Sequence, residues 1–278
     1  MTPVQMRTRT IPSSAEPLPV IGCGTYLGFD RAPGSAEFAQ LPRVLAALFA
    51  AEGSVVDSSP MYGKAEAAVG QLLDEADTRE EAFLATKVWI QGREAGIRQM
   101  EDSFRLLRTD QVDLLQVHNL VDWRIHLATL REWKAQDRVR YVGISHYTSS
   151  AYAEVEEVLR REPLDFLQIN YSVEESESAQ RLLPLAAERG VAVLVNRPFG
   201  GGGLLRRLSA QPLPAWAGEI GCASWSQLLL KFVLAHPAVT CAIPGSGSPG
   251  HMAHNAAAGA GTLPAPEFWR DRMAVFSA

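Results

Sequence analysis

Eight short runs of apolar and β-branched residues recur along this chain of 278 residues, each followed by a longer amphipathic or loop-like segment. They cover residues 19–24, 54–57, 83–87, 112–118, 140–145, 166–170, 191–196 and 239–243. A continuous apolar run suits a strand covered on both faces, which is the situation inside a parallel sheet. The intervening segments carry helical spacing. Within 36–51, Leu41, Val44, Leu45, Leu48 and Phe49 share one face, and Ile97, Met100, Phe104 and Leu107 do the same further on. Segments 123–134, 149–160, 177–189 and 224–235 read likewise, and Gly53 and Gly190 stand where a helix should stop before a strand. Strand–helix alternation in this order predicts an α/β fold, a (β/α)8 TIM barrel, with an open doubly wound sheet as the alternative. Residues 1–18 precede the first run and predict a short N-terminal hairpin. No linker or composition shift divides the chain, so 1–278 reads as one barrel domain.

Composition narrows the function. Hydrophobic residues make up 47% of the chain, enough for a large core, and the net charge is -5. No basic patch or arm stands out, which argues against nucleic-acid binding. Cys23, Cys222 and Cys241 form no CxxC pair, so reduced thiols in a cytoplasmic protein are expected rather than a disulfide framework. No apolar run is long enough to cross a bilayer. Arg7 and Arg9 are followed by Pro and Ser without a long apolar stretch, so the N-terminus reads as neither signal peptide nor anchor.

In a barrel the active site lies at the C-terminal ends of the strands. The runs end there in polar groups: Asp57, Lys87, His118, the pair Ser145-His146, Gln168 with Asn170, and Asn196-Arg197. Singly, each has an ordinary structural reading as a cap, a solvated charge or a satisfied histidine. Together, a ring of titratable groups on different strands calls for chemistry. Tyr62 follows Asp57 by five residues, within reach of the same mouth. A phenol is a weak acid at neutral pH, and a nearby ammonium lowers its pKa. Lys87 is expected to do so, Asp57 to hold Lys87, and His118 to hydrogen-bond the reacting oxygen or assist proton delivery.

These motifs resemble the aldo-keto reductase family. Asp57-Ser-Ser-Pro-Met-Tyr62-Gly63, continued by Glu66 and Gly70, is similar to its Asp–Tyr motif. Ala85-Thr-Lys87 resembles its lysine strand and residues 112–118 its histidine strand, with Val142-Gly-Ile-Ser145, Leu167-Gln168-Ile-Asn170 and Ile243-Pro244-Gly-Ser246 following in family order. The resemblance implies a catalytic set of Asp57, Tyr62, Lys87 and His118. It implies NAD(P)H lying extended over the mouth without a Rossmann fold, NADP(H) being favoured over NAD(H), and reduction of an aldehyde or ketone to an alcohol. Tyr62 would act as general acid while His118 orients the carbonyl. Cofactor contacts are implied for Gly24, Thr25, Asp57, Ser145, His146, Gln168, Asn196, Arg197, Pro198, Phe199, Gly200, Ile243, Gly245, Ser246, His251 and Asn255.

Several positions depart from the family pattern. His146 stands where Asn is usual, and Asn196 stands where a Tyr stacks on the nicotinamide. Tyr171 and Phe199 are the candidate replacement rings. Gly245 and His251 stand where cations serve the 2′-phosphate of NADP. Tyr26, Met61, Trp89 and Asn119 are expected to shape the substrate pocket. His251 and His254 lack a third ligand for a metal. The partners expected are a small carbonyl or alcohol substrate, with neither nucleic acid nor membrane. Two other readings remain open on these residues: a barrel using Tyr62, Lys87 and His118 for cofactor-independent proton transfer (a lyase, isomerase or cyclase), and a non-catalytic regulatory subunit.

Overall fold

A computed structural model describes residues 5–277 of the chain. The expected hairpin forms from β1 (Thr8–Thr10) and β2 (Pro17–Pro19), antiparallel, with Arg9 opposite Leu18. Residues 1–4, which that expectation included, lie outside the described residues. Eight parallel strands follow: β3 (Cys23–Gly24), β4 (Val55–Asp57), β5 (Phe83–Val88), β6 (Val112–His118), β7 (Val139–Ser145), β8 (Phe166–Asn170), β9 (Ala192–Asn196) and β10 (Cys241–Ala242). They pair strictly in sequence order. Parallel bridges between Ile21 and Ala242 and between Gly24 and Gly245 join the first strand to the last. The sheet is therefore a closed barrel and not the open doubly wound alternative.

The chain splits its apolar residues between two cores. Inside the barrel, Val55, Phe83, Ala85, Leu114, Phe166, Leu194, Cys241 and Ile243 pack with Ile11 and Leu18 of the hairpin. The hairpin thus closes the floor of the barrel, the end away from the strands' C-termini. A larger core lies between the sheet and the surrounding helices. These are α1 (Leu41–Ala50), α2 (Ala65–Ala76), α3 (Arg93–Leu107), α4 (Trp123–Ala135), α5 (Tyr152–Arg161), α6 (Ser178–Glu188), α7 (Gly203–Leu208), α8 (Trp225–Ala235), α9 (Pro249–Ala257) and α10 (Pro266–Arg270). In α1 the predicted face is the buried one, with Leu41, Val44, Leu45 and Leu48 turned inward.

Three outcomes differ from the sequence reading. Run 19–24 divides, because Pro19 belongs to the hairpin and only Cys23–Gly24 enters the barrel as a strand. Helix α2 is additional, and its Gly70 explains why the motif carries a glycine there. A Cβ at Gly70 would lie 2.2 Å from the Leu106 carbonyl oxygen and 2.7 Å from Leu107 Cα, so only glycine lets α2 pass so close to α3. Helix α9, likewise not among the predicted helices, carries His251 and His254, with Pro249 in its first turn, where a missing N–H costs no helical bond.

The Gly70→Ala variant should lose about 1–3 kcal/mol of stability, the range for overpacking a close contact, measured by urea denaturation. An unchanged midpoint would mean that α2 and α3 separate freely.

Candidate active site

At the C-terminal mouth of the barrel, register brings the predicted charges together. Asp57 ends β4 beside Ala85, and Lys87 lies on β5 beside Gln116 of β6. Lys87 has no exposed surface, and Asp57 is 2% exposed. The ammonium donates to Asp57 Oδ1 at 2.9 Å, to Asp57 Oδ2 at 2.8 Å and to the Ser58 carbonyl at 2.7 Å. All three N–H bonds of the lysine are thus satisfied without water. Burial works against the Lys87 charge, but Asp57, and then Tyr62, outweigh it and raise the lysine pKa.

Tyr62 sits above this pair in the loop after β4, where its N–H donates to the Ser59 carbonyl at 3.0 Å. The next residue, Gly63, has φ of 59°. A Cβ there would lie 2.4 Å from Asp30 Oδ1, the same oxygen that accepts from the Lys64 N–H at 3.0 Å. The glycine therefore lets Asp30 fasten the Tyr62 loop. Lys87 Nζ lies 5.1 Å from the Tyr62 ring centre, and the Tyr26 ring is tilted against Tyr62 at 5.1 Å. Burial pushes the Tyr62 phenol above its ordinary value, and Lys87 pulls it back without cancelling the rise. This corrects the expectation of a lowered Tyr62 pKa: desolvation is the larger effect in the protein without ligand. Beside this cluster, Glu66 of α2 is buried and accepts from Thr86 Oγ1 at 2.5 Å and Ser103 Oγ at 3.2 Å, which fastens α2 to β5 and α3.

His118 ends β6. Its Nδ1 lies 3.1 Å from Ser145 Oγ, the Ser145 hydroxyl donates to Gln168 Oε1 at 3.0 Å, and Gln168 Nε2 donates to Asp57 Oδ1 at 2.8 Å. A continuous polar chain therefore links His118 to the Asp57–Lys87 pair. Burial, with the Lys87 and His146 charges adding to it, pushes the His118 pKa down to about 3, so the ring is neutral at physiological pH.

A cavity of 510 Å³ opens over these groups. It is lined by Asp57, Tyr62, His118 and Gln168, by the expected Gly24, Tyr26, Met61, Asn196, Arg197, Pro198, Phe199, Ile243 and Gly245, and by Leu27, Tyr147, Gly201 and Gly202. Next to it, a second cavity of 460 Å³ shares Tyr26, Leu27 and Gly245, and continues past Gly28, Arg31, Ser246, Gly247, Ser248 and His251. Gly200 stands beside the first cavity in the loop between β9 and α7, with φ of 55°. A further cavity of 530 Å³ lies at the opposite, N-terminal end of the strands. Its Arg131 and Lys134 are paired with Glu162 and Asp165, so their charges are already neutralised.

Other predicted residues serve less directly. Thr25 is fully buried and donates to the Asp57 carbonyl, supporting the site from below. His146 Nδ1 accepts from the Tyr147 and Thr148 N–H groups, shaping the loop after β7. Arg197 is ion-paired to Glu175 at 3.2 Å. Asn255 is buried on α9. Trp89 is 45% exposed and meets the His118 ring edge-on at 6.5 Å, placing it at the rim. Asn119 follows His118 with φ of 53° and is absent from the cavity wall. Of the two candidate replacement rings, Phe199 lines the cavity, whereas Tyr171 is buried against Phe232 at 5.7 Å. Sequence reasoning missed Tyr147, whose ring stacks on His118 at 6.0 Å and 15°. Its position two residues beyond the end of β7 was the available signal.

The aldo/keto reductase family model matches residues 20–270. The chain belongs to the aldo/keto reductase family. Methylglyoxal reductase YeaE of Escherichia coli K12 is 30% identical over 250 residues, spanning 86% of this chain and 85% of its own length. An aldo/keto reductase of Klebsiella pneumoniae, solved in complex with NADP and acetate, superposes with a TM-score of 0.80 at 26% identity, covering 99% of this chain and 95% of that one. The NADH-specific methylglyoxal reductase of E. coli K12 is 25% identical over 196 residues, which is 59% of this chain and 58% of its own length. No described helix of this reductase is long and apolar enough to cross a membrane.

Replacing Lys87 by Met should destabilise the protein by about 3–5 kcal/mol, because it leaves the Asp57 carboxylate buried and unpaired. Adding Asp57→Asn to that variant should restore part of the loss in guanidinium denaturation. A single variant as stable as the parent would contradict a paired, desolvated charge.

Proposed function

We propose that this chain reduces an aldehyde or ketone to the alcohol, using NADP(H) as hydride source and Tyr62 as proton donor. The observation that carries the proposal is the buried Asp57–Lys87 pair directly beneath Tyr62 at the floor of an open cavity.

The groove fits an extended dinucleotide. Two adjoining cavities share Tyr26, Leu27 and Gly245, giving a path from the catalytic cluster to the start of α9. Asn196 Oδ1 is buried without a partner while its Nδ2 donates to the His146 carbonyl at 3.0 Å, leaving an acceptor available beside the cavity. Ser145 and Gln168 would hold the carboxamide end. Ser246 and His251 would face the far phosphate, with Arg31 of the second cavity offering the cation that Gly245 does not. When bound, the nicotinamide supplies the hydride. The K. pneumoniae relative solved with NADP supports NADP(H), and the NADH-specific relative marks NAD(H) as the competing choice.

The protein's own groups manage the proton. Tyr62 keeps its hydroxyl proton at neutral pH, because burial raises its pKa, and can donate it to an oxygen gaining negative charge. As that proton leaves, Lys87 stabilises the phenolate, and Asp57 holds Lys87 in place. Tyr26, Met61, Trp89 and Tyr147 give the mouth an aromatic and apolar wall suited to a small organic carbonyl. The complete cluster and the open groove favour the reductase over a cofactor-free enzyme, which the departures at His146, Asn196, Gly245 and His251 had left open, and over a non-catalytic subunit. Three buried, unpaired cysteines fit a reducing compartment such as the cytoplasm.

Tyr62→Phe should lower kcat for aldehyde reduction by about 10²–10⁴-fold, the usual contribution of a positioned acid. NADPH affinity, followed by quenching of protein fluorescence, should change little. Because the Tyr62 pKa is raised, carbonyl reduction should hold steady through neutral pH and fall only in strongly alkaline buffer. Alcohol oxidation, which needs the phenolate, should rise over the same range. Full activity in the phenylalanine variant would remove Tyr62 from the role.

A further inference from the structure

Exposed apolar side chains gather at the mouth of this barrel. Among the described residues, Tyr26, Leu27, Trp89, Ile90 and Tyr147 are large, apolar and open to solvent. Tyr26, Leu27 and Tyr147 line the catalytic cavity, whereas Trp89 and Ile90 stand outside its wall, in the short loop between β5 and α3. The two adjoining cavities run away from that loop, past Gly245 toward α9, and neither includes Trp89 or Ile90. A dinucleotide lying in them therefore leaves both side chains uncovered. Exposure in a loose loop would carry little meaning, but the backbone behind these side chains is held at four points. The Trp89 N–H donates to Gln99 Oε1 at 2.6 Å, and Gln99 Nε2 donates to the Trp89 carbonyl at 3.4 Å. The Ile90 carbonyl oxygen lies 2.7 Å from His126 Nε2, and because a carbonyl only accepts, the imidazole donates. The Gly92 N–H donates to Asp122 Oδ2 at 2.7 Å. Two of these partners forgo an ordinary role. Asp122 stands at the N-cap of α4, where a carboxylate normally accepts from the first N–H groups of its own helix, yet it makes no such bond. His126 is fully buried, and its Nδ1 has no partner among the described residues. It also lies under α3, where a Cβ at Gly96 would come within 2.3 Å of His126 Cε1. An apolar side chain would fill that space without an unsatisfied nitrogen, so the imidazole is explained by the bond it gives to Ile90.

We infer that His126, Gln99 and Asp122 are positioning residues that hold Trp89 and Ile90 as a fixed apolar ledge beyond the catalytic cavity, and that this ledge selects carbonyl compounds carrying a bulky apolar group over small ones. The selection rests on the reading of the chain as a carbonyl reductase; the fixing of the loop does not. Trp89 meets the His118 ring at 6.5 Å, so a ring joined by a short alkyl chain to a carbonyl in the catalytic cluster reaches the indole. A loop already held from behind loses little further freedom when a substrate settles on it, which leaves more of the apolar contact to favour binding.

The test pairs amide hydrogen exchange in the protein without cofactor with NADPH-dependent kinetics on propanal and 3-phenylpropanal, whose reacting carbonyls are alike. The Trp89 and Gly92 amides should be protected in wild type, and His126→Leu should speed their exchange by about tenfold, the scale of one lost hydrogen bond. Wild type should favour 3-phenylpropanal in kcat/KM by about tenfold, the scale of partly burying a ring. Trp89→Ala, His126→Leu and Gln99→Leu should each bring that ratio toward one. His126→Gln, which keeps a donor within reach of the Ile90 carbonyl, should restore it. The ratio cancels any common loss of cofactor binding. If His126→Leu fails to fold, Gln99→Leu, at a half-buried helix position, still reports. Unprotected Trp89 and Gly92 amides in wild type overturn the inference whatever the protein reduces. A ratio that falls with Trp89→Ala but with neither His126→Leu nor Gln99→Leu overturns the positioning roles, and equal kcat/KM in wild type overturns the selection. A dimer in light scattering that Trp89→Ala dissociates gives the ledge to a second copy and overturns the selection too. Turnover of neither aldehyde, with NADPH bound, overturns it as well and counts separately against the reductase reading, while the exchange rates still decide whether the loop is held.

Discussion

Lys87 occupies a position that no isolated ammonium could tolerate. Removing such a charge from water costs several kcal/mol even after relaxation, and the cost is met here only because Asp57 and the Ser58 carbonyl saturate all three of its N–H bonds. The closed barrel makes this possible. Parallel pairing in sequence order sets β4 next to β5, which buries Lys87 against Asp57 while Tyr62 lines the cavity above. The floor is sealed separately by Ile11 and Leu18, so the apolar packing that stabilises the barrel and the polar cluster that acts lie at opposite ends. This separation allows the mouth to hold desolvated charge without interrupting the core.

From that pair the rest of the site inherits its polarity. Asp57 dictates the orientation of Gln168, Gln168 accepts from Ser145, and Ser145 meets His118 Nδ1 at 3.1 Å. Tyr62 responds to the same environment from the other side. Burial raises its pKa and Lys87 moderates the rise, so the phenol stays protonated until an oxygen with developing charge comes near. The buried thiols take no part, since burial raises the pKa of Cys23 and of Cys241 and keeps both in the unreactive form.

Much of this architecture was legible in the sequence because its signals are local. The apolar runs at 83–87, 112–118 and 166–170 became β5, β6 and β8 with ends shifted by a residue at most, since a strand buried on both faces is mostly apolar and contrasts with the polar segments beside it. Asp57, Lys87 and His118 stood out as polar groups closing such runs. Other features depend on contacts between distant segments. The division of run 19–24 follows from the hairpin pairing of Pro17–Pro19 with Thr8–Thr10. The raised pKa of Tyr62 follows from burial, which no spacing of residues reveals. Tyr147 stacks on His118 because the loop after β7 turns back over the mouth, and the polar chain from His118 to Asp57 runs through Ser145 and Gln168, side chains on strands distant in sequence.

The account stands on the claim that Tyr62 is a buried phenol moderated by Lys87, and ultraviolet difference titration measures this directly. The phenolate absorbance of wild type minus that of Tyr62→Phe isolates one tyrosine. In the cofactor-free protein, that tyrosine should ionise above the ordinary range for a phenol, and in the Lys87→Met background it should ionise at still higher pH. Ionisation of Tyr62 near neutral pH, or no further rise when Lys87 is replaced, would contradict the account.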